Sequence, residues 1–460
     1  VAIEIDREHP EYEARKQTWR KYRDLYAGGE QLRQRAQAYL TARAKEPAAV
    51  YQERLRLAFY QNYAGSIVDW YGATVFRREP ALRVEGAAEE TRRFLAEFCE
   101  DCDRRGTSLT DFYREAFIDS LVAGESFVLV DFPQGGSAPS RGAEDALGMS
   151  RAHLVGLKAE EVINWSTDER GRYEWVVVRT KRLRKPRVEE LAWKTETNWW
   201  YFDRTSYRHY RHWEGAGEDE IALAGEGRHG LAKLEQVPLY PLRQAPGVWL
   251  MNKAASLQLE HFNKANALSW AQTMGLFALP VVYSERDFKQ QIGDSFFIQL
   301  GPQDRFGWAE PEGHVYQVAT ESLARLQEEI YRVCFLTQAG GPAAGGQAQS
   351  GLSKQRDFTI TEQVLRGYGD GVKDHMKRVL RAVIQAREEA AEVSITGLDE
   401  FDIGDLRNAL EEAERLKNLG IESPTLRREM AKKVAFQYLC DARQEIKDAI
   451  GREIDAQYGG

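Results

Sequence analysis

Cysteine occurs only four times in 460 residues. That is too few for a disulfide framework, so a reducing compartment is expected. Long apolar runs are missing as well. No segment approaches the ~18 apolar residues of a membrane span, and the longest candidate, Gly275–Val282, is short and contains Pro280. The opening Val1-Ala2-Ile3-Glu4-Ile5-Asp6-Arg7-Glu8 alternates apolar and acidic residues and lacks the basic and apolar regions of a signal peptide. It starts on Val, so the initiator Met is absent from the sequence; the expectation is a soluble, intracellular product. A basic excess is missing too. Lys and Arg number 63 against 71 Asp and Glu, a formal net charge of −8, which argues against a protein that coats DNA but not against one that DNA passes. What remains is an ordinary globular balance, 43% hydrophobic and 29% charged, which rules out a disordered, collagen-like or fibrous chain. The length predicts about two to four domains.

Along the chain, residues 11–78 read as helical. Trp19, Tyr22, Leu25 and Tyr26 share one face, Gly28-Gly29 interrupts it, and a stronger stripe runs from Tyr51 through Leu55, Tyr60 and Ile67 to Tyr71. Further helices are predicted over 87–103 and 108–123, then a buried strand over Glu125–Asp131 between Gly124 and Pro133. Residues 134–150 read as a flexible loop. From 153 to 240 six Trp and many Tyr predict an antiparallel sheet of meandering hairpins. Pro238, Pro241 and Pro246 mark the next boundary. A helix is predicted over 249–274, its face poor in apolar residues and rich in Ala, Asn and Gln. A small β-rich unit over 277–318 and a second helix over 321–338 follow. The uncharged, low-complexity Gly340–Gly351 stretch reads as a mobile loop. The long helix after it carries Phe358, Leu365, Tyr368, Val372 and Met376 at helical spacing, and Gly367, Gly369 and Gly371 predict a kink. The C-terminal region reads as helices, with Asp405 capping one that stops at Gly420, Ser423-Pro424 opening the next and Asp441 the last. The expected class is α+β, mainly helical.

No motif assembles an active site. Gly225-Glu226-Gly227-Arg228-His229-Gly230 fits the letters of a dinucleotide fingerprint but lacks the strand–turn–helix setting, so a plain loop is the better reading. No Walker A phosphate cradle, GxSxG or HExxH occurs. Cys99-Glu100-Asp101-Cys102 has no second pair or nearby His at zinc spacing and reads as ordinary helix cysteines. His209 and His212 on one strand would point to opposite faces. Asp399, Glu400, Asp402 and Asp405 lack calcium-loop spacing and suit capping and solvation. The aromatic belt over 165–213 can be a base-stacking platform, though a sheet core explains it more simply. The basic run Arg179–Arg187 suits a solvated hairpin and a contact to phosphates or an acidic neighbour equally. No cofactor and no metal is expected, and the chain is not expected to be an enzyme. One feature points to self-association: the first of the two helices flanking the β unit is too poor in apolar residues to stand alone, and such helices are usually stabilised by copies of themselves.

Several strings, in order, resemble the portal proteins of tailed double-stranded DNA bacteriophages. They are Ala58-Phe59-Tyr60-Gln61-Asn62-Tyr63, Tyr71-Gly72-Ala73-Thr74-Val75-Phe76-Arg77-Arg78-Glu79-Pro80, Gly124-Glu125-Ser126-Phe127-Val128-Leu129-Val130-Asp131, Glu161-Val162-Ile163-Asn164-Trp165, Leu259-Glu260-His261-Phe262-Asn263, Leu300-Gly301-Pro302 and Leu419-Gly420-Ile421-Glu422-Ser423-Pro424-Thr425. The resemblance covers nearly the whole chain. It implies the portal fold with wing, stem, clip and crown: a wing over 1–245 and 357–392, stem helices over 246–276 and 313–339, a clip over 277–312, a tunnel loop over 340–356 and a helical crown over 393–460. It implies a head-tail connector, a homo-oligomeric ring most often of twelve subunits at one capsid vertex, through which DNA is packaged and ejected. The partners implied are the terminase large subunit, a head-completion adaptor, the major capsid or scaffolding protein and the passing duplex, with no membrane. The place implied is the virion, and the host cytoplasm during assembly.

On that reading Gln347, Gln349 and Ser350 of the uncharged loop touch DNA through weak, replaceable hydrogen bonds, and Lys354 and Arg356 steer phosphates. Gly367, Gly369 and Gly371 let the wing helix adjust. Arg286, Asp287, Lys289, Gln303, Asp304 and Arg305 in the clip dock the motor and later the adaptor. The alternatives are a metal-dependent nuclease or recombination enzyme, which would need an acidic metal cluster, and a head-morphogenesis adaptor that forms no ring.

Overall fold

A computed structural model of the chain describes residues 4–132, 151–185, 192–215, 221–276, 279–285, 301–309, 313–336, 351–398, 423–438 and 444–458. The N-terminal third is helical where apolar residues recur at helical spacing, and it breaks where caps stand. Helix α1 (Pro10–Ala27) opens on Pro, whose missing N–H no first turn needs, and ends at Gly28 with φ +57°. Helices α2 (Gly29–Gln34), α3 (Ala48–Leu57) and α4 (Tyr63–Val75) follow. Asn62 caps α4 by accepting the Gly65 N–H at 2.9 Å. After strand β1 (Ala81–Glu85) come α5 (Glu89–Glu100) and α6 (Leu109–Ala123), the latter capped by Ser108, whose hydroxyl accepts the Asp111 N–H at 3.0 Å. Gly124, at φ +87°, turns α6 directly into β2 (Glu125–Asp131). A Cβ there would lie 3.0 Å from the Trp249 indole, so the turn demands glycine twice over.

Strands β3 (His153–Lys158), β4 (Val162–Thr167), β5 (Tyr173–Arg184), β6 (Lys194–Asp203), β7 (Ser206–Trp213), β8 (Ala222–Arg228) and β9 (Leu239–Arg243) complete two antiparallel sheets. One is a meander in the order β4-β5-β6-β7-β8; the other has the order β3-β2-β9. Val176, Val178, Phe202, Tyr207 and Tyr210 of the meander share a core with Tyr12 and Trp19 of α1. Trp19 is buried with its indole N–H donated to the Ala123 carbonyl at 2.8 Å, which ties that sheet to the end of α6.

The chain then leaves this body and returns to it. Helix α7 (Leu250–Leu276) leads to a hairpin of β10 (Leu279–Tyr283) and β11 (Arg305–Ala309), and α8 (Gly313–Val333) leads back. Helix α9 (Gly351–Ala386) re-enters the main core, where Tyr368 meets Tyr71 and Phe117 edge-on at centroid distances of 5.6 and 5.3 Å. Strand β12 (Glu392–Thr396) pairs antiparallel with β1, Thr396 opposite Ala81. Helices α10 (Pro424–Tyr438) and α11 (Gln444–Tyr458) pack on each other near the C-terminus. Ser423 opens α10, accepting the Leu426 N–H at 3.3 Å. The class is therefore mixed helix and sheet, and no helix among the described residues is long and apolar enough to cross a membrane.

Several sequence-level expectations need correction. Gly225 and Gly227 are not in a loop; they lie on the edge strand β8, paired with β7. Tyr207 covers Gly227, where a Cβ would come within 3.1 Å of its ring, and Phe132 fills the place of a Cβ on Gly230. These glycines make room for aromatic rings rather than for a pyrophosphate. The return helix starts at Gly313, not at 321. The helix after the low-complexity stretch already runs from Gly351, so the boundary drawn at 356 falls inside it. The segments 134–150 and 399–422 and residue Asp441 lie outside the described residues, so the readings made there stand as expectations.

Candidate functional site

Helices α7 and α8 pack side by side and carry the β10–β11 hairpin at their far end. The amide-rich face of α7 has a partner inside the chain. Gln258 accepts the Ala64 N–H at 3.0 Å and donates to the Gln61 carbonyl at 2.8 Å. Asn263 accepts the Thr41 N–H at 2.8 Å and donates to the Tyr39 carbonyl at 3.0 Å. Asn266 accepts the Phe59 N–H at 3.0 Å and returns a bond to the Phe59 carbonyl at 2.9 Å. Three amide side chains thus bond the backbone of the segments on either side of α3 and of the first turn of α4. This corrects one inference from sequence. The weak apolar face of this helix is not by itself a sign of self-association, because its near half is stabilised by hydrogen bonds within one chain.

The other ends of the excursion are clamped too. Tyr71 donates to the Cys334 carbonyl at 2.7 Å, Thr361 to the Phe335 carbonyl at 2.5 Å, and Tyr368 to the Val248 carbonyl. Burial pushes the Cys334 thiol up to about 12 and the Tyr71 and Tyr368 phenols well above their ordinary range. These groups stay neutral and structural. Phe335 itself has φ +60°, and the Lys253 ammonium sits 4.7 Å over its ring.

Beyond the clamp the packing thins. Tyr316 donates to the Ala271 carbonyl at 3.0 Å, and Lys264 approaches the Ser322 hydroxyl at 3.4 Å. Val315 and Val318, one turn apart on α8, are 64% and 51% exposed, and Tyr283 on β10 is 65% exposed. Val315 and Val318 thus leave apolar side chains at helical spacing facing solvent.

The sequence-assigned contact residues divide unevenly. Gln347, Gln349, Ser350, Arg286, Asp287 and Lys289 lie outside the described residues. Lys354 and Arg356 fall on the first turns of α9. Gln303 and Asp304 form the turn into β11, where the Asp304 carboxylate accepts the Gly301 N–H at 2.7 Å, and Arg305 stands opposite Tyr283 in the hairpin. Gly367, Gly369 and Gly371 lie in a helix assigned without interruption. Gly369 has a clear packing role: a Cβ there would collide with the Leu398 carbonyl oxygen, 1.7 Å away.

Other motifs resolve into structure. The Cys99 thiol is pushed up to about 11 by burial and Cys102 higher still, so neither is a thiolate at neutral pH. His209 stacks flat on Trp200 at 3.8 Å and bonds Asn198 at 2.7 Å. Arg179 of the basic run pairs with Asp6 at 2.7 Å and Glu8 at 2.9 Å, and Arg184 with Glu196 at 3.3 Å. Lys181 and Arg182 remain exposed. Among the described residues no group of three or more His, Cys, Asp or Glu is placed to hold a metal ion.

Sequence reasoning missed one buried node. His375 is fully buried, its Nε2 donating to the Tyr240 carbonyl at 3.1 Å while its Nδ1 lies 3.2 Å from the Tyr113 hydroxyl. Burial lowers its pKa to about 4. It therefore sits neutral, accepting from Tyr113 and joining α6, β9 and α9.

No protein-family profile and no curated protein sequence matches the chain. Solved structures do. A chain from the neck of an empty gene transfer agent (GTA) particle computed with C6 symmetry is 12% identical, with a TM-score of 0.42 over 80% of this chain and 90% of that one. A chain from the virion of a native particle is 13% identical, with a TM-score of 0.40 over 87% and 98%. One from the neck of a native particle computed with C12 symmetry is 12% identical, with a TM-score of 0.39 over 87% and 98%.

Proposed function

We propose that this chain is a portal-type subunit. Copies of it form a ring at one vertex of a capsid, and the α7–hairpin–α8 excursion lines and extends a channel for double-stranded DNA. The chain resembles phage portal proteins in sequence, from the segment before α4 to Ser423-Pro424 ahead of α10. The observation that carries the reading is the build of the excursion. Its root is fixed by buried hydrogen bonds at both ends, while Val315, Val318 and Tyr283 farther out are left to solvent. A projecting helix pair of this kind gains its missing packing when identical copies stand side by side, and heterologous contacts repeated about an axis close into a ring.

The walls perform no chemistry in this account. An acidic chain with an uncharged segment around Gln347, Gln349 and Ser350 would let phosphates slide rather than stick, because each Lys or Arg contact adds a salt-sensitive hold on the duplex. Lys354 and Arg356 are the cations assigned to steer it. The hairpin turn around Gln303, Asp304 and Arg305 is the assigned dock for the packaging motor and later the adaptor, and Arg286, Asp287 and Lys289 are assigned to the same face.

Mass photometry of purified chain, followed by negative-stain imaging, tests the ring. Annular particles with a central opening are expected. A monomer at every concentration and salt overturns the proposal. Deleting residues 342–351 tests the loop: rings should persist while packaging or retention of DNA fails, and normal packaging would remove the loop from the mechanism.

A further inference from the structure

The loop between α5 and α6, the outer edge of β3 and the β5 residues Thr180–Arg182 enclose a pocket of about 570 Å³ that the channel reading does not use. Arg104, Arg105, Lys181 and Arg182 line it. All four are exposed, and none is held in a salt bridge among the described residues. The loop that carries two of them is stiff. Arg104 sits at φ +62°. The Asp101 carboxylate accepts the Gly106 N–H at 2.9 Å, and that of Asp103 accepts the N–H groups of Arg105 and Thr107 at 2.9 and 3.3 Å.

The floor of the pocket is an unfinished sheet edge. Strand β3 borders β2 on one side only. Alternation along a strand sends the N–H groups of Leu154, Gly156 and Lys158 outward together. Leu154 spends its N–H on the Cys102 carbonyl at 2.7 Å and Lys158 on the Glu161 carboxylate at 2.7 Å. Between these two stops, the N–H and carbonyl of exposed Gly156 and the carbonyl of Leu154 have no partner among the described residues. The space above Gly156 holds no side chain of its own, and Phe112 lies 3.5 Å from where its Cβ would be.

We propose that this pocket docks a short extended peptide, with carboxylates flanking an apolar residue, by adding it as a strand to β3. One peptide residue opposite Gly156 can both donate to and accept from it, its side chain resting over Phe112, while the four cations take the flanking carboxylates. Nucleic-acid phosphates fit less well. A phosphate carries acceptors only, so it would leave the carbonyls of Leu154 and Gly156 unpaired, whereas a peptide brings an N–H to each edge carbonyl it faces. The short free stretch between the two stops limits the strand to about three residues, or ~10 Å. That predicts a weak, salt-sensitive contact of the kind used for reversible docking.

Fluorescence anisotropy of the purified full chain with a fluorescein-labelled Glu-Val-Glu-Val-Glu-Glu peptide tests this at low salt. Saturable binding is expected. Arg105→Glu combined with Arg182→Glu should weaken it about tenfold or more, with circular dichroism confirming an unchanged fold. The same peptide N-methylated at its two valines needs no protein variant, and it should lose binding to a similar degree because it cannot pair with the edge. A duplex oligonucleotide should displace the peptide only poorly. The proposal is overturned if the wild-type chain fails to bind, if the N-methylated peptide binds equally well, or if the oligonucleotide competes as strongly as unlabelled peptide. The last result would assign the pocket to phosphates. None of these outcomes depends on ring formation.

Discussion

The near and far halves of α7 are built from similar residues but live by different physics. From Leu250 to Asn266 the helix buries Met251, Ala254, Phe262 and Ala265 and spends its amides on the backbone of other segments; beyond Asn266 no described residue of it is buried. The same contrast runs along α8, where Ile330 near the clamp is fully buried and Val315 far from it is 64% exposed. One half is packed within a single chain; the other leaves apolar side chains to solvent, and on the proposed reading a neighbouring copy covers them. Mutations in the two halves should therefore separate stability from assembly.

The largest expected effect lies in the near half. Phe262→Ala empties a site that is 1% exposed and meets Tyr60 edge-on at 5.9 Å; a loss of about 3–5 kcal/mol is expected in denaturant unfolding. If the loss is no larger than that of a surface change, the near half is not the anchor.

Acid should act next, through the body rather than the far half. His375 has a folded pKa of about 4 against 6.5 for the free group. The unfolded chain therefore binds a proton in that window that the folded chain refuses. Stability should be full above pH 6.5 and fall as pH drops toward 4, by about 3 kcal/mol from this group. His375→Gln should flatten that part of the profile of melting temperature against pH. An equally steep profile would assign the acid sensitivity to other groups.

A smaller effect is expected at the amide ladder. Asn266→Ala removes both hydrogen bonds to the Phe59 backbone, and about 1 kcal/mol should be lost. Asn266→Asp should keep the bond to the N–H and lose the one to the carbonyl, which thermal melts of the two variants can rank.

The smallest effect on stability is predicted in the far half. Val315→Ser with Val318→Ser should change unfolding of the single chain by no more than about 0.5 kcal/mol. It should nonetheless shift the particle mass seen by photometry toward monomer. A shift in stability without a shift in mass would erase the contrast between the halves.

How far the sequence revealed this depends on the kind of signal. Local signals located α1, α6, β2 and α10: the stripe from Trp19 to Tyr26, Gly28 and Gly124 at helix ends, and Ser423-Pro424 at the opening of α10; the single stripe read from Tyr51 to Tyr71 is in fact two helices, α3 and α4, broken over residues 58–62. The tryptophan-rich stretch was legible as a sheet for the same reason. The partners of Gln258, Asn263 and Asn266 were not legible, because an amide looks the same whether it faces water or a backbone some 200 residues away. His375 was invisible for a related reason: its partners, Tyr113 and Tyr240, lie on other elements. The glycines of α9 were read as freedom to bend, whereas at Gly369 the pressing need is room for the Leu398 carbonyl. The pocket beside β3 had half a signal, the basic run; the unpaired edge that gives it meaning exists only once the strands are in order.

The pairing of β1 with β12 sets a schedule for synthesis. Thr396 reaches back to the Ala81 carbonyl across 315 positions of sequence. On the ribosome β1 emerges well before its partner and waits, its edge open, until β12, some 315 positions later, has left the exit tunnel. The helical excursion is made during that wait, before the strand that closes the body behind it. A nascent chain therefore carries an unsealed seam at β1 for a long time, and a chaperone would have time to intervene there.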